Sequence, residues 1–301
     1  MALKDLPVEE CILQGNAACP GCPATMALRI VLKSLGKKTI MVVPACCTAV
    51  IQSLYPATSF EIPIMNIAFE AAAAGASGVE AALRKQGKED INVLAWAGDG
   101  GTYDIGLQAL SGAIERGTNF IYICYNNQIY SNTGIQRSGA TPRSAWTTTT
   151  VGGKTEFKKE MGEIIRAHHP PYAAQASISD PEDLYRKVEK AKSIKGPKYL
   201  EILAPCPPGW RFSMDKTVEM GKLAIETGSW ALWEYENDEI TFNGKSKLLL
   251  EEKIKPKPVE EWLKFQGRFK HLFVPKRDEK QLKEIQDHTD AQWKRYRKEF
   301  L

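Results

Sequence analysis

The sequence predicts an α/β fold, a mostly parallel sheet flanked by helices, on three observations. Between residues 39 and 206, short β-branched runs alternate with amphipathic stretches, as crossover units require. The chain has 301 residues, 43% apolar and 25% charged, an ordinary globular composition, and is long enough to bury roughly 75% of its unfolded surface. The turns bearing Gly-Asp-Gly-Gly, Asn-Asn and Cys-Pro-Pro each directly follow an apolar run, where parallel sheets place their ligand sites.

Taken in order, Thr39 to Pro44 (TIMVVP) reads as a buried strand and Ala68 to Lys85 as a helix. Ile91 to Ala97 (INVLAWA) reads as a strand, Ile105 to Arg116 as a helix, and Asn119 to Tyr125 (NFIYICY) as a strand. Gln128 to Lys158 is rich in Ser, Thr and Gly and reads as a long functional loop. Helical periodicity returns over Lys159 to His168 and Pro181 to Ser193. There Asp180 is the expected N-cap, with Pro181 at the first position and Glu182 and Asp183 in the first turn. Lys198 to Ala204 (KYLEILA) is a fourth strand. After Gly228 the chain turns polar, Lys/Glu-rich and aromatic-spiked. The expected division is a binding domain over 1–228 and a C-terminal extension over 229–301, packed on this chain or on a partner. Its last part, Lys276 to Leu301, reads as an exposed or partner-docked helix. There is no internal repeat.

The net charge of +4 arises in the last 51 residues, which hold 14 basic and 10 acidic side chains. That is too dilute for a nucleic-acid stripe. The greasiest stretch, Ile62 to Ala82, is broken by Glu70, Gly75, Gly78 and Glu80 and falls short of the ~20 clean apolar residues of a membrane span. No basic-then-apolar leader opens the chain, so a cytoplasmic location is expected. In that compartment the seven cysteines read as ligands, nucleophiles or core residues rather than disulfides.

Cys19-Pro20-Gly21-Cys22 puts two sulfurs on one tight turn. Cys46-Cys47 follows one strand, and Cys206 another, between prolines. Four thiolates from three loops suit an iron–sulfur cluster or structural zinc, and a CxxC pair alone suits dithiol redox chemistry. Adjacent residues on extended backbone point opposite ways, so Cys46 and Cys47 are not expected to serve together. Cys11 and Cys124 read as packing residues.

Gly98-Asp99-Gly100-Gly101 ends the 91–97 strand, and Asn126-Asn127 ends the next, 27 residues beyond Asp99. A carboxylate and a carboxamide at neighbouring strand ends can share one Mg²⁺, whose remaining ligands come from phosphate and water. The glycines let a diphosphate approach the backbone, and the helix that follows offers its amides. GDG followed at this spacing by NN matches the thiamine-diphosphate signature. Neither a P-loop nor a Rossmann GxGxxG fingerprint is present.

Longer motifs extend the match. They are Gly15-Asn-Ala-Ala-Cys19-Pro-Gly-Cys22, Cys47, Gly98-Asp-Gly-Gly-Thr-Tyr-Asp-Ile-Gly-Leu-Gln-Ala-Leu-Ser-Gly112, Tyr130-Ser-Asn-Thr-Gly-Ile-Gln-Arg-Ser138, Thr141-Pro142 with Ala145-Trp-Thr-Thr148, and Cys206-Pro-Pro-Gly-Trp210. With these the chain resembles the β subunit of 2-oxoacid:ferredoxin oxidoreductases, most closely the pyruvate-type four-subunit enzymes, from about residue 12 to 230. The likeness is weaker through Gly267-Arg-Phe-Lys-His-Leu-Phe273.

The resemblance implies the thiamine-diphosphate-binding fold, with thiamine diphosphate, Mg²⁺ and one [4Fe–4S] cluster. The cluster ligands would be Cys19, Cys22, Cys47 and Cys206. The Mg²⁺ ligands would be Asp99, the Asn127 side chain and the Ile129 carbonyl. Gly98, Gly100 and Gly101 would border the coenzyme together with Cys47 and Asn132, with Asn132 near the reacting carbons and Thr133 beside it as the catalytic candidates. Two departures stand out. Cys46 occupies the glycine position before the third ligand, and Pro23-Ala24 replaces an acidic residue found in some relatives.

The implied reaction is CoA-dependent oxidative decarboxylation of pyruvate to acetyl-CoA and CO₂, and its reverse, with electrons passing through the cluster to ferredoxin. Oxalate or a branched-chain 2-oxoacid is the alternative substrate on the same scaffold. A non-redox thiamine-dependent decarboxylase or a zinc-stabilised scaffold is the alternative of another class. The implied partners are an α subunit, which supplies the pyrimidine-contacting Glu and much of the substrate pocket, together with γ and δ subunits, the last serving ferredoxin. Glu70 is the in-chain acidic candidate. His168, His169, His271 and His288 lie outside the matched motifs, and Trp146, Trp210, Trp230, Trp233 and Trp293 read as packing or interface anchors.

Overall fold

A computed structural model describes residues 5–54 and 56–301. Its strands are β1 (Thr39–Pro44), β2 (Ile64–Ile67), β3 (Asn92–Gly98), β4 (Ile121–Asn126), β5 (Tyr172–Ser177), β6 (Lys198–Leu203), β7 (Trp233–Glu236) and β8 (Glu239–Phe242). They form one 8-stranded sheet in the order β2-β1-β3-β4-β6-β5-β7-β8. The first six are parallel, and β7 and β8 add an antiparallel edge. The chain leaves β1 toward β2 on one side and returns to β3 on the other. The strand order therefore reverses between β1 and β3, and a crevice opens there beyond their carboxyl ends.

The principal helices beside the parallel strands are α1 (Pro23–Leu35), α2 (Cys47–Ile51), α3 (Ala72–Lys85), α4 (Leu107–Glu115), α5 (Met161–Arg166) and α6 (Pro181–Ser193). Side chains alternate between the sheet's two faces with the strand period of two. Met41, Val43, Leu94, Trp96, Ile121 and Ile123 pack under α1 and α6. Val42, Val93, Ala95, Ala97, Tyr122 and Cys124 pack under α3, α4 and α5. Both faces are covered, which is why these strands read as unbroken apolar runs. Asp180 caps α6, its carboxylate accepting from the Asp183 amide at 3.2 Å.

A third apolar cluster lies beyond the strand ends. Trp210, Trp230, Trp262, Phe269 and Leu272 gather there around Ile129, Leu203 and Cys206. Much of it comes from residues after 228, which also supply β7 and β8. The helix Glu279–Phe300 presses Trp293 and Tyr296 against Phe242. It thus docks on this chain, its apolar stripe covered, rather than standing exposed.

Several boundaries differ from expectation. The helix expected from residue 68 starts at Ala72, because residues 68–71 turn the chain after β2. Glu70 therefore sits exposed in that turn rather than on the helix. A π-helical turn, Gly100–Asp104, precedes α4; such turns often mark functional sites. Helix α1 and strands β2, β5, β7 and β8 were not anticipated. Among the described residues, no helix is long and apolar enough to cross a membrane.

Candidate functional site at the carboxyl ends of the strands

Asp99 follows β3 directly and is fully buried. One carboxylate oxygen accepts from the Asn127 amide at 3.2 Å, the other from the Ser138 hydroxyl at 2.5 Å. Burial lifts its pKa to about 7, against the opposing pull of those hydrogen bonds. A buried acid whose partners in the chain are neutral is suited to a cation.

The two asparagines at the end of β4 divide their tasks because successive residues face opposite ways. Asn126 turns inward, donating to Glu201 at 2.6 Å and to the Tyr103 hydroxyl at 3.1 Å. Its side-chain oxygen accepts from the Gln128 amide at 2.9 Å. Asn127 turns to the crevice; its side-chain oxygen accepts from the Ile129 amide at 3.2 Å, and Trp210 Nε1 donates to its backbone carbonyl at 2.7 Å. Between them and Ile129, Gln128 is held at φ +64°, an unusual conformation for a residue with a side chain. The Thr141 hydroxyl donates to its carbonyl at 2.7 Å. Such local strain persists where surrounding contacts over-determine it, as they do here.

A cavity of about 250 Å³ opens against these residues. It is lined by Gly98, Asp99, Gly100, Gly101, Asn127, Ile129, Asn132 and Thr133, with Cys46, Cys47, Phe69, Tyr125, Tyr130 and Ser131 among the others. Gly100 is sterically required, and Gly101 is tightly placed. A β-carbon at Gly100 would land inside the Tyr130 ring, and one at Gly101 would lie 3.2 Å from Phe69. Tyr130 is fixed in turn, its hydroxyl donating to Asp104 at 2.6 Å. Gly100→Ala is expected to destabilise the chain by about 1–3 kcal/mol in chemical denaturation, because the ring must leave its place. An unchanged midpoint would mean the ring moves freely.

A second cavity, of about 430 Å³, is lined by Cys19, Cys22, Cys47 and Cys206, together with Pro23, Ala24, Ser131 and Asn132. The CxxC turn closes with the Cys22 amide donating to the Cys19 carbonyl at 3.0 Å. Gly21, at φ +70°, lies so close to the Met214 carbonyl that no side chain fits. The Thr217 hydroxyl donates to the Gly21 carbonyl at 2.8 Å. Ser131 Oγ lies 3.3 Å from the Cys206 sulfur. Burial and the neighbouring Cys206 and Cys46 thiols push the Cys47 pKa up to about 12. Cys46 turns into the core beside Tyr125, separating its role from that of Cys47. Among the described residues, no three His, Cys, Asp or Glu side chains close on a single metal ion.

Residues 45–202 match the family described as thiamine pyrophosphate enzyme, C-terminal TPP binding domain. Pyruvate synthase subunit PorB of Methanothermobacter marburgensis is 50% identical over 291 residues, covering 95% of this chain and 97% of its own length. Ketoisovalerate oxidoreductase subunit VorB of Pyrococcus furiosus is 46% identical over 303 residues, covering 97% and 94%. The chain belongs to this family of 2-oxoacid:ferredoxin oxidoreductase β subunits. It is thus a subunit of an oxidoreductase and carries a thiamine-diphosphate-binding domain. The fold is shared with 2-oxoglutarate:ferredoxin oxidoreductase from Magnetococcus marinus, at a TM-score of 0.59 and 19% identity over 72% of this chain and 82% of that one.

Every site residue singled out in the β-subunit sequence lies on one of the two cavities, and Cys47, Asn127 and Asn132 lie on both. Glu70 lines neither. The four histidines also lie away from both. Sequence reasoning missed the supporting groups Ser131, Ser138, Tyr130 and Gln128. Ser131, Ser138 and Tyr130 fall inside a matched motif, which was the available signal. Trp210 is buried as expected of a packing residue, yet it also fixes the Asn127 carbonyl.

Proposed function

We propose that this β subunit holds thiamine diphosphate through Mg²⁺ at Asp99, Asn127 and the Ile129 carbonyl, and one [4Fe–4S] cluster on Cys19, Cys22, Cys47 and Cys206. The complex would oxidatively decarboxylate pyruvate to acetyl-CoA and CO₂, and run the reverse, with ferredoxin as electron partner. The observation that carries this reading is the shared wall: Cys47, Asn127, Ser131 and Asn132 line both cavities, so the two groups would be neighbours. The residues fit both groups. The first cavity pairs a buried carboxylate with a glycine cradle that a β-carbon would fill. The second offers four thiols around a hollow of about 430 Å³, and they do not converge on one point as ligands of a single ion would.

When bound, the coenzyme supplies an electron sink for decarboxylation and the cluster a one-electron acceptor. The chain's own residues bind and orient. Asp99 contributes the negative charge, and the Gln128 turn aims the Asn127 side chain and the Ile129 carbonyl at one hard cation. Asn132, exposed where the cavities meet, is placed to donate to the substrate oxygen beside Thr133; such a donor contributes ~3 kcal/mol in other enzymes. The thiols of half-buried Cys47 and buried Cys206 are both pushed up in pKa and stay protonated in the metal-free chain, so loading a cluster releases protons. Glu70 lies outside the cavity lining, which supports an α subunit as source of the pyrimidine-contacting carboxylate. γ and δ subunits complete the cytoplasmic assembly.

The test is anaerobic purification of the assembled complex. A brown chain absorbing near ~400 nm is expected, and a colourless one with stoichiometric zinc would overturn the cluster. Reduction of a viologen dye should be fastest with pyruvate. Faster reduction with 2-oxoisovalerate would move the assignment to the branched-chain substrate, which the VorB relatives keep in view.

Asp99 also makes a pH prediction. Mg²⁺ must displace a proton from a carboxyl titrating at about 7. Below that pH, affinity for Mg²⁺–thiamine diphosphate should fall about tenfold per unit, read by titration calorimetry at pH 8 and pH 6. The sign for stability is opposite. The ordinary carboxyl value is 3.8, so between the two values the folded chain binds more protons than the unfolded one. The metal-free chain should therefore gain stability as pH falls through that window.

A further inference from the structure

Arg268, in the C-terminal extension, is fully buried. Its Nε donates to Gln266 Oε1 at 2.8 Å and its Nη2 to Gln128 Oε1 at 2.6 Å, while Nη1 has no partner. The guanidinium lies 4.0 Å over the Trp210 ring. Among the described residues no carboxylate pairs with it, so the chain holds a buried cation whose hydrogen-bond partners are all neutral. That is costly by several kcal/mol unless an anion arrives.

The position of this cation is specific. Trp210 ends the one-turn helix that begins after Cys206, and its amide donates to the Cys206 carbonyl at 2.8 Å. Gln128 is the strained residue between Asn127 and Ile129. Arg268 is therefore tied at once to the loop of the fourth cysteine and to the loop of the proposed Mg²⁺ ligands. Its own backbone is pinned: its carbonyl accepts from the Trp146 amide at 2.9 Å, and the Gly267 amide donates to the Arg211 carbonyl at 3.0 Å. The acidic groups that act on its charge are Cys206 and Asp99.

We infer that Arg268 is the built-in countercharge of the iron–sulfur assembly, a fixed cation behind Cys206 that favours the reduced cluster. This rests on the cluster proposed above. Four thiolates around the cluster make an anion, and accepting one electron from substrate oxidation makes it more negative by one charge. A cation fixed in a low-dielectric interior stabilises the product of that step more than the reactant. Arginine suits the place because its planar fork stacks on Trp210 while reaching two amide oxygens.

The test uses the full-length chain loaded anaerobically with iron and sulfide, with the midpoint potential read by redox titration followed by electron paramagnetic resonance. Arg268→Met and Arg268→Gln are expected to shift the midpoint to more negative potential. Arg268→Lys, which keeps the charge, should stay closer to wild type than either neutral variant. Loss of the cluster from both neutral variants, with retention in the lysine variant, supports the same role. A folded, cluster-bearing neutral variant with an unchanged midpoint overturns it. So does failure of both neutral variants to fold by circular dichroism, since Arg268 would then be structural. Should the wild-type chain take up no cluster, the cluster assignment itself falls, and the countercharge with it.

Discussion

Asp99→Asn is expected to abolish tight binding of Mg²⁺–thiamine diphosphate while leaving the fold intact. Changes to groups that merely support a metal ligand typically cost 10–100-fold. Removing the charge of a ligand itself should cost at least about 100-fold, or ~3 kcal/mol. The substitution is close to isosteric. Its carbonyl oxygen still accepts from the Ser138 hydroxyl or the Asn127 amide, which lie 2.5 and 3.2 Å from the two oxygens of the native carboxylate. A buried carboxylate without a cation is itself destabilising, so the metal-free variant should be no less stable than wild type. The coenzyme should raise the melting temperature of wild type and leave the variant's unchanged. A variant that still binds with wild-type affinity in calorimetry would remove Asp99 from the metal site.

Much of this site is legible in the sequence because its determinants are local. Gly98-Asp99-Gly100-Gly101 and Asn126-Asn127 each follow an apolar run, and a parallel sheet brings such ends together. The opposite facing of neighbours on extended chain separates Cys46 from Cys47, and in the structure Cys46 packs toward the core and borders only the Asp99 cavity, while Cys47 lies on the wall between both. The missed elements lack such signals. Strand β5 (YAAQAS) has no β-branched residue, β2 is four residues long, and β7 and β8 carry Glu234, Glu236 and Glu239. Helix α1 mixes β-branched residues into its apolar face. The apolar, Ala-rich stretch around Glu70 does not reveal where its first helical turn begins. Contacts across long separations were not legible at all. Arg268 and Gln128 meet 140 residues apart, and no periodicity marks either one.

Cys206→Ala should produce the complementary loss. Cys206 is buried against Ser131 and one turn from Trp210, and it lines the cysteine cavity but not the Asp99 cavity. Removing one thiolate of four should strip most of the absorbance near ~400 nm along with most of the iron and sulfide. The side-chain change is one sulfur atom, so the stability loss of the metal-free chain should stay near ~1 kcal/mol. Coenzyme binding should be retained, because Asp99, Asn127 and the glycine cradle are untouched, while substrate-driven dye reduction is lost for want of the electron acceptor. Asp99→Asn should do the reverse, keeping the cluster and losing the coenzyme. Asp99 lines only the first cavity and Cys206 only the second, so the two losses should separate in this way. If Cys206→Ala keeps full cluster content, Cys206 is not a ligand. If either substitution removes both groups, the wall at Cys47, Asn127, Ser131 and Asn132 belongs to a single site rather than dividing two.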